Sequence, residues 1–371
     1  MTANSFHTSG SSPTRRLRIG LLGFGTVGSA IARRLVSDPS LPLELTHVFD
    51  RRAAFKAARF LAGVPAAPRL HWSDRVGDLL ASGADILVEA IGGAGDAYGW
   101  TCAALRAGKS VVTCNKQLVA AHGPALFDLA ARQGRQLRYE AAVGGAMPIV
   151  GALGGLAGDR LVRITGILNG TTNAVLSDME RGRTMADALD AARARGYAEA
   201  DASSDLDGTD ARAKLAILCA AGFGLRVEPG EIEAQSAAGI TPDDFARAAR
   251  GGNTIRQLAC AACDETRSTL TAWVAPAPVA RASLFGSTRG PQNAAVVTGV
   301  YAGDITMGGA GAGGEATAVA ALGDLLAIAR DPAAILPAPR LSRPGRVLGL
   351  ATSASAGEAR RVYSHIEAEA V

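Results

Sequence analysis

Aromatic residues, cysteines and long runs of like charge are scarce in this sequence. Only 5% of its 371 residues are aromatic, and 38 basic side chains are interspersed with 34 acidic ones. Without a clustered basic stripe, nucleic-acid binding is not expected. The 5 cysteines, an odd number, indicate reduced thiols in a cytoplasmic setting. The sequence does have 45 glycines and 48% apolar residues, which is typical of a folded protein with many close backbone contacts.

A membrane span and a metal-binding cysteine pattern are also missing. The uncharged segment from Ala141 to Gly158 contains Pro148 and six glycines, which argue against a spanning helix. Cys260 and Cys263 form a CxxC without a second pair, and we interpret them as buried residues of an alanine-rich helix. Residues 1–15 lack the apolar core of a secretory signal and are expected to form a flexible arm.

Apolar runs and helical segments alternate along the first 146 residues. This alternation predicts an α/β fold with a Rossmann-type doubly wound parallel sheet, followed by an α+β unit that carries the substrate. A helix is predicted from about Pro124 to Arg132, with the proline in its first turn. The predicted strands are Leu17–Leu22, Leu43–Phe49, Asp85–Ile91, Ser110–Thr113, Gln136–Ala142 and, beyond the first unit, 161–168, 269–275 and 294–301, before a glycine-rich loop at 308–314.

A glycine-rich turn joins the first predicted strand to the first predicted helix. Glycines spaced GxGxxG allow a tight turn, the approach of a pyrophosphate and close helix–strand packing. Asp50 ends the second strand, where an acid binds the ribose hydroxyls of NAD, whereas Arg51 and Arg52 suit the 2′-phosphate of NADP. Both cofactors are therefore possible, with a slight preference for NAD. The residues of the turn are Gly23, Phe24, Gly25, Thr26, Val27 and Gly28.

Acidic residues are concentrated in the second unit. Five of them lie between residues 199 and 210, shortly before Lys214. A calcium-binding loop is excluded, because its alignment places Lys214 where a glutamate is required. Asp210 and Lys214 share a helix face, and their spacing alone is typical of a surface ion pair. Carboxylates for an ammonium beside a lysine for proton transfer would also suit the oxidation of an amino alcohol.

A second lysine, Lys116, follows the predicted strand that ends at Thr113. Ligands of open α/β sheets bind at the carboxyl ends of the strands. Lys116 could therefore hold a substrate carboxylate beside the nicotinamide or share in proton transfer. The alternative is a surface lysine without a role.

Seven motifs follow one another along the chain: 23–28, 115–116, 140–148, 166–173, 196–201, 205–210 with Lys214, and 311–313 with Thr317. Together they resemble homoserine dehydrogenases, from about Leu17 to about Ala329. The resemblance implies the reversible NAD(P)-dependent interconversion of L-homoserine and L-aspartate 4-semialdehyde in threonine and methionine biosynthesis. Two alternatives stay open: another Rossmann oxidoreductase of amino acids or aldehydes, and a catalytically silent NAD(P)-binding regulatory protein.

The resemblance also implies roles for individual residues. The expected catalytic residues are Lys214 for proton transfer, with Lys116 and Asp210. The expected substrate-binding residues are Glu199, Asp205, Asp210, Tyr197 and Thr172. Besides the glycine turn, the cofactor is expected to contact Asp50, Arg51, Lys116 and Gly313. A monovalent cation such as Na+ is expected on the backbone carbonyls of Glu140, Val143, Gly145 and Met147.

The expected domains follow from the same resemblance. We predict a dinucleotide-binding domain over 16–146, with a helix at about 317–335 packing back on it. A substrate-binding, catalytic and dimerisation domain is predicted over 147–316, and a C-terminal tail over 336–371. A homodimer is expected. Residues 331–371 are too few for the regulatory domain by which many relatives sense threonine, so we expect a short form without feedback inhibition by threonine.

Overall fold

Two β-sheets organise the chain. The computed structural model describes residues 15–63, 70–199, 201–264 and 268–350. Within these ranges the first sheet uses strands between residues 17 and 138, and the second uses strands from residue 161 onwards. No helix in the described ranges has the length and apolar character of a membrane span.

The first sheet is parallel and has the strand order β3-β2-β1-β4-β5-β6. The chain reverses its direction of winding between β1 and β4, which is where open α/β sheets bind ligands. Every residue of β4 is buried, as expected when helices cover both faces of a parallel sheet. The strands are β1 (Leu17–Leu22), β2 (Leu43–Phe49), β3 (His71–Ser73), β4 (Ile86–Glu89), β5 (Ser110–Thr113) and β6 (Leu137–Arg138).

The helices of this half connect its parallel strands. The last of these helices begins at Lys116. The sequence predicted a start at Pro124, eight residues later, and this prediction was wrong. Asn115 caps this helix by accepting a hydrogen bond from the Leu118 N–H, so the helix starts at Lys116 and Pro124 lies inside it. The helices are α1 (Thr26–Ser37), α2 (Ala53–Gly63), α3 (Val76–Ala81), α4 (Gly95–Arg106) and α5 (Lys116–Arg132).

The second sheet has the order β12-β11-β7-β9-β10-β13, with β8 also paired to β10. Its central pairs are antiparallel. The strands are β7 (Leu161–Ile167), β8 (Glu233–Ala234), β9 (Asn253–Asp264), β10 (Thr269–Ala280), β11 (Gln292–Gly299), β12 (Gly303–Ala310) and β13 (Arg346–Leu348). The helices are α6 (Ile149–Gly155), α7 (Gly170–Met179), α8 (Met185–Ala194), α9 (Ser203–Leu206), α10 (Thr209–Phe223), α11 (Pro242–Arg250), α12 (Leu284–Ser287) and α13 (Gly314–Arg330), with short 3-10 turns at Glu140–Ala142 and Pro229–Glu231.

Three further local predictions were wrong. Cys260 and Cys263 lie on β9 rather than on a helix, because β7 and β10 pair with this strand on both sides and override the helical preference of its alanines. Residues 308–310 of the predicted loop belong to β12, which pairs with β11. The strand predicted over Gln136–Ala142 is reduced to the two residues of β6, since a 3-10 turn follows at once.

The helix α13 returns from the second half to the first sheet. Ala318, Ala321 and Leu325 are fully buried in the same hydrophobic cluster as Ile19 of β1 and Val88 of β4. Gly314 begins this helix against α1, where a Cβ would lie 2.6 Å from the Thr26 carbonyl oxygen. The helix ends at Arg330, five residues before the predicted end. Its amino terminus therefore lies beside the glycine turn.

Candidate active site

A cavity of about 700 Å³ lies between the two halves. The first half contributes the glycine turn and the segment that follows β5. The second half contributes the turn between β7 and α7, the acidic segment, and the start of α13. Residues that line it include Thr26, Gly93, Cys114, Lys116, Asn169, Thr171, Tyr197, Glu199, Asp201, Asp205, Asp210, Lys214, Gly311 and Gly313.

Asp210 lies between two lysines from different halves. One carboxylate oxygen, Oδ1, is 2.8 Å from Lys116 Nζ, and the other, Oδ2, is 2.7 Å from Lys214 Nζ. The Asp210 side chain is 5% exposed and that of Lys214 is 12% exposed. Lys214 also donates a hydrogen bond of 2.9 Å to the Leu168 carbonyl. The surface ion pair that the spacing alone suggested is therefore a buried one.

The two ammonium groups hold Asp210 ionised. Burial by itself would raise the pKa of Asp210, but the Lys214 and Lys116 ammonium groups outweigh it and lower the pKa to about 2. Burial would lower the pKa of Lys116, but Asp210 reverses that effect and the pKa is raised. A carboxylate with two ammonium donors is a fixed negative charge, so it can orient both lysines.

The end of β7 supplies a third partner to the carboxylates. Asn169 caps α7 by accepting a hydrogen bond from the Thr172 N–H, and its Nδ2 donates to Asp205 Oδ1 at 2.7 Å and to Asp210 Oδ2 at 2.8 Å. Burial raises the pKa of Asp205. Gly208, with φ of +83°, makes the turn from α9 to α10 and so brings Asp205 and Asp210 to the same cavity.

The predicted substrate-binding residues do not all face the cavity. Tyr197, Glu199 and Asp205 line it. Thr172 is fully buried and donates its hydroxyl to the Asp205 backbone carbonyl, so it lies behind the acid. The adjacent Thr171 lines the cavity, although its hydroxyl donates to the Tyr197 carbonyl.

The glycine turn fits a dinucleotide. A Cβ on Gly23 would lie 2.8 Å from the Ala90 carbonyl oxygen, and one on Gly28 would collide with the Gly23 carbonyl oxygen. At Gly25, by contrast, a Cβ would meet nothing within 4 Å, so this position opens onto the crevice. α1 has no side-chain cap and no acid in its first turn, which leaves its N–H groups available to a pyrophosphate.

Asp50 lies at the rim of an adjoining cavity of about 440 Å³. Its carboxylate accepts hydrogen bonds from the Phe24 N–H at 3.0 Å and the Arg52 N–H at 2.9 Å, and it pairs with Lys56 at 2.5 Å. Burial opposes ionisation, but the Lys56 contact and the two N–H groups lower the pKa of Asp50. The helix α2 was not predicted, so its Lys56 was missed. Arg51 pairs with Asp96 in an exposed contact.

A buried acid beneath the cavity was also missed. Glu89, at the carboxyl end of β4, is fully buried and accepts hydrogen bonds from the Thr113 hydroxyl and the Ile91 N–H. Its Oε1 is 3.4 Å from Asn115 Nδ2, which donates more closely to the Gly93 carbonyl, at 2.6 Å. Burial raises the pKa of Glu89 to about 7. An acid that ends an otherwise apolar strand was the signal in the sequence.

The segment predicted to bind a cation runs from Glu140 to Met147, just before α6. Gly144 and Gly145 have φ of +87° and +64°, so two successive left-handed residues turn the chain sharply. The Glu140 N–H donates to Asp324 of α13 at 2.8 Å. Burial raises the pKa of Asp324 to about 7. The described residues contain no cluster of three or more His, Cys, Asp or Glu side chains suited to a metal.

A parallel sheet with a glycine turn at its switch point, facing lysines and carboxylates across a cleft, defines a nicotinamide-dependent oxidoreductase of a small polar substrate. Residues 23–140 match the family described as homoserine dehydrogenase, NAD binding domain, and residues 148–326 match the family described as homoserine dehydrogenase. This chain belongs to the homoserine dehydrogenase family, whose members are NAD(P)-dependent oxidoreductases acting on a CH–OH group.

Individual relatives agree with this assignment. Homoserine dehydrogenase of Corynebacterium glutamicum is 38% identical in an alignment of 344 residues that covers 89% of this chain and 75% of that protein. The crystal structure of a homoserine dehydrogenase from Thiobacillus denitrificans has a TM-score of 0.81 at 33% identity, covering 90% of this chain and 79% of that one. A hyperthermophilic archaeal homoserine dehydrogenase in complex with NADPH has a TM-score of 0.67 at 26% identity, covering 84% of this chain and 96% of that one.

Proposed function

We propose that this chain interconverts L-homoserine and L-aspartate 4-semialdehyde in the cavity between its halves, with Lys214 as the proton-transfer group. The observation that carries the proposal is the Lys116–Asp210–Lys214 group, in which the buried carboxylate of Asp210 pairs with two lysines that line that cavity. When bound, the nicotinamide supplies or accepts the hydride. The residues of this chain bind and orient the substrate and move the hydroxyl proton.

Lys214 is suited to proton transfer because its position is fixed. An ammonium carries three N–H bonds, and Lys214 uses one for Asp210 and one for the Leu168 carbonyl. The third is free for the substrate oxygen. In reduction it donates its proton to the alkoxide that forms, and in oxidation the neutral amine accepts the hydroxyl proton.

Lys116 and the acidic segment suit the two ends of the amino acid. Besides Asp210, Lys116 retains two N–H bonds, which can hold the substrate carboxylate beside the cofactor. Asp205 uses Oδ1 for Asn169 and has Oδ2 for the substrate ammonium. Glu199 and Tyr197 line the same side of the cavity and complete this proposed pocket, with Thr172 holding the Asp205 backbone from behind.

We further propose that both NAD and NADP bind, with NAD preferred. Asp50 is held as a carboxylate at the position suited to ribose hydroxyls, which supports NAD. Lys56 neutralises Asp50, and Arg51 and Arg52 line the same rim, which supports acceptance of a 2′-phosphate.

The cation and the homodimer are also proposed. The sharp turn at Gly144 and Gly145, between Val143 and Met147, supports a monovalent cation on the carbonyls of this segment; a rate independent of Na+ and K+ would count against it. β12 is an edge strand among the described residues, which supports subunit pairing through the second sheet. Sedimentation velocity would test this pairing.

All 5 cysteines are free, which supports a reducing compartment such as the cytoplasm.

The experiment that tests the function is absorbance at the reduced-nicotinamide band with L-homoserine and NAD or NADP at mildly alkaline pH. We expect the band to grow with both cofactors and faster with NAD. If it grows with neither, and aspartate semialdehyde is not reduced, the protein binds a dinucleotide without this activity, as a regulatory protein would.

A further inference from the structure

The side chain of Asn169 is fully committed to hydrogen bonds within the site. It is 4% exposed and lies between the end of β7 and the start of α7. Its Oδ1 accepts the Thr172 N–H at 2.7 Å, and the two acceptors of its Nδ2 are carboxylate oxygens of Asp205 and Asp210. A primary amide has two N–H bonds at a fixed angle, so one group defines the positions of both oxygens.

The two acids that Asn169 joins belong to different helices. Asp205 is on α9 and Asp210 is on α10. The turn at Gly208 between these helices does not by itself fix the distance between the two carboxylates. The cap to Thr172 in turn orients the amide of Asn169. Lys214 is held from the same point of the chain, because its second contact is the carbonyl of Leu168.

Asn169 also stabilises two like charges near each other. Asp210 is one of the groups that raise the pKa of Asp205, as expected for neighbouring carboxylates. A neutral donor between them reduces their repulsion without adding charge. Replacing it with a group that cannot donate twice would therefore let the two acids move apart.

From this geometry we infer that Asn169 is a positioning residue that sets the distance between the carboxylate for the substrate ammonium and the Asp210–Lys214 pair for the substrate hydroxyl. It thereby selects amino alcohols by the number of carbons between their amino and hydroxyl groups. The inference rests on the function proposed above, in which Asp205 binds the ammonium. It assigns chain-length specificity to a residue that has no free polar atom for the substrate.

The test is the selectivity of Asn169→Ser for L-homoserine over L-serine, one carbon shorter, and 5-hydroxy-L-norvaline, one carbon longer. Serine retains the helix cap but cannot reach and donate to both acids. We expect kcat/KM for homoserine to fall at least about fiftyfold. The ratio of kcat/KM for homoserine to kcat/KM for hydroxynorvaline should fall at least about tenfold. The Kd of NADH should stay within about twofold, because the Asn169 side chain is hydrogen-bonded to Thr172, Asp205 and Asp210 rather than to the glycine turn.

Asn173→Ser is the matched control. Asn173 is an equally buried asparagine on the same helix, but its Nδ2 donates only to backbone carbonyls, those of Thr288, Gly290 and Gln292. This variant should lose thermal stability and keep the wild-type substrate ratio. If Asn169→Ser lowers the rates for all three substrates equally, Asn169 is only a structural cap and the inference is wrong.

If the serine variant fails to fold, Asn169→Asp takes its place in the same comparison. Aspartate can also cap a helix, but its side chain has no N–H to donate. A substrate ratio unchanged in that variant would equally overturn the inference. Failure of the proposed function looks different: wild-type protein would not oxidise homoserine, or would keep its rate when Lys214 is replaced.

Discussion

Glu89 in the nucleotide half and Asp210 in the substrate half are both buried acids, yet their pKa values move in opposite directions. Burial raises the pKa of Glu89 to about 7, because its hydrogen-bond donors, which are neutral groups of the backbone, a threonine and an asparagine, offset only part of that effect. The pKa of Asp210 falls to about 2 despite burial, because two ammonium groups touch it.

The difference shows that burial alone does not determine what an acid does at a ligand site. With neutral donors, Glu89 changes charge close to neutral pH and can hold the turn that leads to Lys116. With cationic donors, Asp210 keeps its charge and fixes two lysines for chemistry. Asp50 resembles Asp210 on a smaller scale, since one lysine, Lys56, pairs with it.

The largest effect is expected from breaking the charged group in the substrate half. Lys214→Met should reduce kcat at least about a hundredfold, because the group that exchanges the hydroxyl proton is lost. Steady-state kinetics with homoserine would measure this. Lys109→Met is a control, since Lys109 is a buried lysine that donates only to the Ser82 and Ala84 carbonyls and should affect stability alone. A near-normal kcat in the Lys214 variant would move the proton-transfer role to Lys116 or to water.

The second-largest effect is expected in Glu89→Gln, whose free energy of unfolding should differ from that of wild type by an amount that depends on pH. The folded protein binds the Glu89 proton more tightly than the unfolded chain, where the pKa is 4.5, so the free energy of unfolding falls as pH rises from about 4.5 to about 7. The shift corresponds to about 3 kcal/mol. The variant lacks this loss and should gain stability relative to wild type between pH 5 and pH 8.

Denaturant unfolding at several pH values measures that difference. Asp324, whose pKa is also raised to about 7, contributes a similar slope to wild type and variant, so the difference between the two proteins isolates Glu89. A constant difference across the range would mean that Glu89 stays in one protonation state, and the comparison with Asp210 would no longer hold.

The smallest effect is expected at Asp50, when its partner Lys56 is replaced. Lys56→Met should raise the Kd of NADP about tenfold and leave that of NAD within about threefold, because it removes the cation that shields a 2′-phosphate from Asp50. Fluorescence titration with each reduced cofactor would check this. Equal loss of both cofactors would instead assign Lys56 to the support of the adenosine site as a whole.

Local signals in the sequence were enough to predict part of this fold. β1 and β2 have the predicted bounds, since an apolar run before a glycine turn or an acid is a local signal. β9 was missed because its alanines favour a helix until β7 and β10 pair with it. Lys116 was singled out by its position after a strand, and Lys214 by the acids that precede it. The partners of Glu89 were not, because Thr113 and Asn115 are distant in sequence and meet Glu89 only in the folded sheet.

The return of α13 to the first sheet has a consequence for synthesis of the chain. Its buried alanines and leucines complete a core whose first strand was made some three hundred residues earlier. During translation the nucleotide-binding sheet therefore emerges with part of one face uncovered, beside α1, and stays so until the substrate half has been made. We expect a fragment truncated before residue 314 to be captured by chaperones or to aggregate, although it retains every strand of that sheet.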